Sequence, residues 1–475
     1  MAQDYVNDSS ISARETTGWV AWWNSEWGFG PLLNLALPLM LSAAFVSLTL
    51  FTDRTMLYWK SEAAASASMG AGTLYWAIIC LPMGMLGYFS TFVSQYRGAG
   101  RVDRIGSAYQ HAMGLAWCLV PVLVVGVVVA RQIFVLSGHN THLVELETSY
   151  FRILLVGGIG VLFYSVQSGL LTGQGRTRVV LAIDAAATVL NLALDAVLIF
   201  GWGAIPGLGI VGAALATSVS FWIKIPIAAW VISHDRQLKE SFLVGKRVPV
   251  ESDMYRRLIM YGAPAGLQML AEAGCFALIM LQVGKLGELE MAATTLALGL
   301  NVLGFVPMIG LGIGLGVLVG QHVTDGRLDL ARRSVHCALA VSVAYTGIFA
   351  CAIALFPGWM MSIYAIGAEP ERFDQMRPLL APLLKIIAVY CILDGLQIVF
   401  VGAIKGAGDT WFVLLATSLV SFAVVAIGLF AQESRGASLM LWWYVIASWV
   451  SCMGFVFAAR FFSRAWERKR VIEQT

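Results

Sequence analysis

Four carboxylic acids stand inside long apolar stretches of this 475-residue sequence: Asp53, Asp195, Glu272 and Asp394. Tyr390 precedes Asp394 by four residues, and Asn191 precedes Asp195 by four. That spacing puts two side chains on one face of a helix. A carboxylate with a phenol or an amide beside it, facing a second carboxylate, offers oxygen ligands for a cation or a place to hold a proton. A charge at the centre of a bilayer costs about 2.5–3.5 kcal/mol on insertion scales. Such acids must therefore face a cavity or a partner, or carry a proton. One buried polar pair would do no more than lock helices together; several mid-stretch acids on separate helices point to function. Asp53 is followed by Arg54, but adjacent residues on a helix do not face each other. Arg54 is free to snorkel outward near Tyr58 and Trp59, with an interfacial Asp53–Arg54 pair as the alternative. Lys224 and Lys385 also lie in apolar stretches, where snorkelling and an acidic partner are both open.

The elements that position these residues are membrane-spanning helices. The chain is 59% hydrophobic and 12% charged, against roughly 25% charged in soluble domains, so lipid is its main solvent. A spanning helix needs about 20 mostly apolar residues. Twelve such runs are legible, near 32–58, 68–96, 109–134, 149–172, 178–200, 210–233, 257–283, 291–321, 334–357, 378–404, 410–430 and 439–463. Alternate connections hold the basic residues: Arg97, Arg101 and Arg104; Arg176 and Arg178; Arg236, Lys239, Lys246 and Arg247; Arg327, Arg332 and Arg333. The tail adds Arg464, Arg468, Lys469 and Arg470. The positive-inside rule then places both ends of the chain in the cytoplasm. Before the first run, Trp19, Trp22, Trp23 and Trp27 form a stripe that reads as a short interfacial helix rather than a signal peptide.

The chain divides into a segment 1–30, six runs over 31–233, a polar loop 234–256, six runs over 257–463 and a basic tail 464–475. The two sets of six are repeats. Gln95, Gly100, Arg101 and Asp103 match Gln321, Gly326, Arg327 and Asp329 at a constant offset (321 − 95 = 226), as do Pro38 with Pro264 and Glu62 with Glu288. Gly173, Gly175 and Thr177 match Gly406, Gly408 and Thr410 at 406 − 173 = 233. Six helices separate each matched pair, so the repeats are parallel, related by an axis along the membrane normal. The expected fold is an all-α integral membrane protein of two parallel six-helix bundles. Other signals are weak. The seven cysteines are scattered without a CxxC pair, and His139 with His142 is a lone HxxH without a third ligand. Gly207-x-Gly209-x-x-Gly212 follows no strand and opens an apolar run, against a dinucleotide site. Gly310, Gly312, Gly314 and Gly316 read as sites of close helix approach or bending. A net charge of +3 without basic–aromatic runs excludes nucleic acid. No nucleophile, metal or phosphate motif marks an enzyme.

These residues resemble the multidrug and toxic compound extrusion (MATE) family, in its NorM-like branch, over roughly residues 30–465. The resemblance rests on several pieces taken together and in order. They are Pro38 with Asp53, Asn191-x-x-x-Asp195 before the Gly207–Thr217 opening of the sixth run, Glu272, Gly284–Gly287 with Ala292 and Ala293, and Tyr390-x-x-x-Asp394. It implies a V-shaped pair of lobes and export of organic cations and amphiphilic drugs by antiport with Na⁺ or H⁺, with no cofactor, by a monomer. It implies a C-lobe cation site at Glu272, Asp394 and Tyr390, open to Na⁺, and an N-lobe site at Asp53, Asn191, Asp195 and Thr217. The first half departs at Trp59–Glu62, where the second half has Gly284–Gly287. A lipid-linked precursor flippase of the same superfamily is the rival, disfavoured because mid-run acids outnumber bases; a membrane-embedded enzyme is a lesser one. The charge pattern predicts that reporters fused at either end of the chain fluoresce as cytoplasmic ones do. An alkaline phosphatase fused at residue 475 that is active in the periplasm would contradict the orientation.

Overall fold

A computed structural model describes residues 28–136, 140–203, 205–235, 249–358 and 370–473. The tryptophan stripe at 19–27, His139 and most of the 234–256 loop lie outside these residues. Twelve helical spans are long and apolar enough to cross a membrane. In chain order the helices are α1 (Phe29–Lys60), α2 (Glu62–Gly87), α3 (Phe89–Gly98), α4 (Asp103–Leu136), α5 (Thr141–Gly173), α6 (Thr177–Phe200) and α7 (Ile210–His234). The second half holds α8 (Ser252–Gly284), α9 (Glu288–Thr324), α10 (Leu328–Leu355), α11 (Pro370–Ala407), α12 (Thr410–Arg435) and α13 (Leu439–Phe462). Helices α2 and α3 form one span, meeting at Tyr88. Several helices outrun their apolar cores because polar residues cap them. Asn140 accepts from Leu143 N at 2.8 Å, and Ser438 from Leu441 N at 3.2 Å.

The departure at Trp59–Glu62 has a local cause. Ser61 lies in extended backbone and its hydroxyl accepts from Ala64 N at 3.3 Å, starting α2 as an N-cap. The equivalent position in the second half is Gly287, whose φ of 150° suits glycine. A side-chain cap stands where the second half uses a glycine turn.

The packing repeats as the sequence does. Helix α5 is the centre of the first bundle, against α2, α4 and α7, while α1 packs on α6 and α6 on α7. In the second bundle α11 takes the place of α5, against α9, α10 and α13, while α8 packs on α12 and α12 on α13. Between bundles, α1 packs on α9 and α8 on α2, again a matched pair. The alternating glycines of α9 serve two neighbours. Gly310 and Gly314 abut the α1 backbone at Met40 and Ala36, while Gly312 and Gly316 abut α11 at Ile398 and Gly402. The Gly207–Gly212 segment is a tight return: β1 (Gly201–Trp202) pairs with β2 (Ile205–Pro206), and Gly207 and Gly212 press on the last turn of α6.

The repeated motifs end four helices in one way. Gly100, Gly175, Gly326 and Gly408 all have positive φ. The next residue's N–H closes a Schellman turn: Arg101 to Tyr96 O, Arg176 to Leu171 O, Arg327 to His322 O and Asp409 to Ile404 O, at 2.8–3.1 Å. The repeated glutamines then join the bundles reciprocally. Gln95 Nε2 donates to Gly406 O at 3.0 Å and Ala407 O at 3.1 Å, and Gln321 Nε2 donates to Gly173 O at 3.4 Å. Each glutamine thus reaches the Gly-x-Gly-x-Thr turn of the other half.

The tail wedges into this seam. Trp466 is fully buried and stacks on Phe461, Arg332 pairs with Glu467 at 2.8 Å, and Val471 N donates to Gln95 Oε1 at 2.9 Å. Glu473 receives Arg101 at 3.0 Å and Arg104 at 3.3 Å from the first half, and Arg257 from the second. Arg104 also pairs with Glu251 at 2.6 Å. At the other end the bundles keep separate cores; the cluster around Cys275, Ile279, Ala297, Tyr390 and Trp443 contains no residue of the first half. Partial burial raises the Glu473 pKa, but the Arg257 hydrogen bond and charge, its own backbone and Arg101 outweigh that and hold the carboxyl at about 2. A depressed folded pKa contributes stability that is present above the ordinary value of 4.5 and lost as pH falls through about 2. Glu473→Gln should therefore lower the melting midpoint in detergent above pH 5, with the gap to wild type closing between pH 4.5 and 2. A gap that does not change with pH would remove the charge from this clamp.

Candidate functional site

In the first bundle, α1, α6 and α7 bring four predicted residues together. Asp53, Asn191, Asp195 and Thr217 are all buried. Thr217 Oγ1 donates to Asp53 Oδ2 at 2.9 Å. With its amide nitrogen turned toward the acids, Asn191 donates to Asp53 Oδ1 at 3.1 Å and to Asp195 Oδ2 at 3.2 Å. The two carboxylates lie against each other, and among the described residues no donor hydrogen-bonds to Asp195 Oδ1. Arg54 is exposed and makes no direct ion pair with Asp53, although its charge still reaches that carboxylate. Two buried carboxylates in contact, with neutral donors only, leave negative charge that a proton or a metal cation would offset.

Two to three helical turns toward the tail end of the same bundle sits a different arrangement. Lys224 Nζ donates to Asp184 Oδ1 at 2.9 Å, Tyr164 OH donates to the same oxygen at 3.0 Å, and Ser42 Oγ donates to Oδ2. The Lys224 ammonium also stands 5.1 Å from the centre of the Tyr164 ring. This acid has a basic partner, and both its oxygens accept hydrogen bonds. Lys224 thus has an acidic partner, whereas Lys385 is exposed and outward-facing.

In the second bundle, α8 and α11 carry Glu272, Tyr390 and Asp394. Tyr390 and Asp394 are buried, and Glu272 is half-buried. Glu272 Oε1 accepts from Gln268 Nε2 at 2.9 Å, and Gln268 Oε1 accepts from Lys405 Nζ at 3.1 Å. Asp394 lies close enough to Glu272 for their charges to interact, and no hydrogen bond reaches its carboxylate among the described residues. The Tyr390 hydroxyl makes no hydrogen bond to Asp394; the two share a helix face one turn apart. Gly395 lets α10 approach beside Asp394, where an added Cβ would meet Ser342 Oγ at 2.5 Å and Thr346 Cγ2 at 2.8 Å. Among the described residues, no three His, Cys, Asp or Glu side chains converge on one point. What the site offers is carboxylate, amide and hydroxyl oxygen, the donor set of Na⁺ or a proton rather than of a transition metal.

The family model described as MatE matches residues 38–197 and again 264–430, starting each time at a repeated proline, Pro38 and Pro264. This chain belongs to the MATE family. It is 27% identical over 437 residues to a probable multidrug resistance protein NorM of Deinococcus radiodurans, covering 91% of this chain and 95% of that one. It is 24% identical over 389 residues to the multidrug resistance protein MdtK of Yersinia enterocolitica, covering 81% and 83%. Among solved structures, an outward-facing MATE transporter of the MOP superfamily superposes with a TM-score of 0.83 at 19% identity, covering 92% of this chain and 96% of that one. MATE proteins are multi-pass membrane transporters, not enzymes.

In this MATE chain, sequence reasoning missed Asp184, Gln268 and Lys405. Asp184 lies seven residues into α6 and meets the same test as the other acids; its signal was the unassigned Lys224. Gln268 stands one turn before Glu272 at the i, i+4 spacing used elsewhere. Removing one member of a buried ion pair costs about 3–5 kcal/mol, while replacing both is far milder. Asp184→Asn or Lys224→Met alone should lower the yield and thermal stability of the purified transporter sharply, and the double replacement should recover most of the loss. Equal loss in the double and single variants would mean that the pair is not a compensating unit.

Proposed function

We propose that this chain exports organic cations and amphiphilic drugs across the cell membrane by antiport with Na⁺ or H⁺ through alternating access. The observation that carries this reading is the unequal treatment of buried acids. Asp184 has its lysine, while among the described residues Asp53, Asp195 and Asp394 make no ion pair with a basic side chain. Unpaired intramembrane acids are costly and belong where a cation or proton comes and goes. The relatives' names, multidrug resistance proteins NorM and MdtK, support the cargo class.

The first site is Asp53, Asn191, Asp195 and Thr217; the second is Glu272 and Asp394, with Tyr390 closing one side. The moving bodies are the lobes 31–233 and 257–463. The seam is sealed at the end bearing Arg101, Arg104, Arg257, Arg332 and the tail, and the positive-inside rule makes that the cytoplasmic face. The molecule is then outward-facing, with cation sites reached from outside. A cation bound there offsets carboxylate charge that a cationic substrate would otherwise offset, so the two ligands compete. Binding drives transport only through different affinities in the two states.

Glu272→Gln and Asp394→Asn, expressed at wild-type levels, should each lose cation-driven dye efflux at least tenfold, about 1.4 kcal/mol or more of lost coupling. Asp53→Asn should do the same through the first site. Wild-type efflux in both Glu272→Gln and Asp394→Asn would remove the second site, and unaltered efflux in Asp53→Asn would reduce Asp53 to a structural role.

A further inference from the structure

The Glu272 site contains a positive charge of its own. Gln268 is almost fully buried and spends both ends of its amide on ionisable side chains, Glu272 through Nε2 at 2.9 Å and Lys405 through Oε1 at 3.1 Å. Lys405 follows Asp394 by eleven residues, three helical turns, so it lies on the same face of α11, roughly 16 Å nearer the sealed end. Helices α8 and α11 run in opposite directions. Gln268 stands one turn, about 6 Å, below Glu272 on α8, and the long Lys405 side chain reaches that amide from the sealed end. Lys405 belongs equally to the seal. Its backbone carbonyl accepts from the Tyr88 hydroxyl of the other half at 2.7 Å, and the next two carbonyls accept from Gln95.

We infer that Lys405 is a built-in cation for the Glu272 site, held there by Gln268, and that it sets the concentration of coupling cation the site requires. This rests on the reading of Glu272 and Asp394 as a cation site. When the site is empty, the ammonium supplies part of the positive charge that Glu272 lacks, relayed by the Gln268 dipole. An arriving Na⁺ or proton makes that charge redundant and repels it, so the two compete through Gln268 for one carboxylate. Because the same residue anchors Tyr88, displacement of its side chain acts on the helix segment where the halves are sealed. Lys405 is a positioning residue that touches neither cargo nor cation. Its effect is on affinity, and arginine, which keeps the charge, should preserve that effect.

The test uses the full-length transporter in proteoliposomes and ethidium as probe, titrating Na⁺ at fixed pH and proton concentration at fixed Na⁺. Lys405→Gln should lower the half-saturating concentration of the driving cation roughly tenfold, the order expected when one nearby unit charge is removed. Lys405→Arg should titrate like wild type. Gln268→Met, which cuts the relay and keeps the lysine, should shift the titration in the same direction as Lys405→Gln; it carries the test if Lys405→Gln does not reach the membrane folded. An unchanged or raised half-saturating concentration in Lys405→Gln or Gln268→Met, with Glu272→Gln still inactive, overturns this inference and leaves the cation site standing. Wild-type titration in Glu272→Gln removes the site and this inference with it.

Discussion

A carboxylate inside hydrocarbon needs a positive charge or a proton, and the buried acids of this protein are compensated to three different degrees. Asp184 has a permanent partner in Lys224, and Tyr164 and Ser42 donate to it as well. Glu272 has a partial one, an ammonium one amide away. Among the described residues the hydrogen-bond donors to Asp53 and Asp195 are a hydroxyl and an amide only, and one oxygen of Asp195 accepts no hydrogen bond. Asp184 and Lys224 tie α6 to α7, and the acids without such a partner are the ones proposed above to take up the coupling cation.

The second constraint is that the bundles must join without fusing. The joint is built from the residues that repeat. Gln95 and Gln321 each reach the turn of the opposite half, and the turns they reach are Schellman caps at Gly175 and Gly408. Hydrogen bonds from amide side chains to backbone carbonyls add to the apolar packing of α1 on α9 and of α8 on α2 across the seam. Tail residues Val471 and Glu473 complete it with one backbone contact and three arginine pairs.

Much of this was legible beforehand. Twelve spans follow from apolar length, and the repeat from Pro38 and Pro264, Gln95 and Gln321; the family model divides at the same prolines. The Asp53, Asn191, Asp195 and Thr217 grouping was legible only through resemblance, because three helices far apart in sequence supply it. The Asp184–Lys224 pair and the Gln268–Lys405 relay stayed hidden for the same reason. A lysine near a helix end reads as a snorkelling residue, and nothing local says that its ammonium turns inward to a partner forty or 137 residues away. Arg54 shows the reverse: its charge beside Asp53 suggests a pair, and the helical turn of 100° between neighbours separates them.

The central claim is that the uncompensated acids convert a cation gradient into export. The most direct measurement is efflux of a fluorescent organic cation from proteoliposomes with Na⁺ and proton gradients imposed separately. The account predicts that at least one gradient, directed inward across the face opposite the tail, drives uphill dye movement that stops when the gradient is collapsed. Dye movement that is purely downhill and indifferent to both gradients would contradict it.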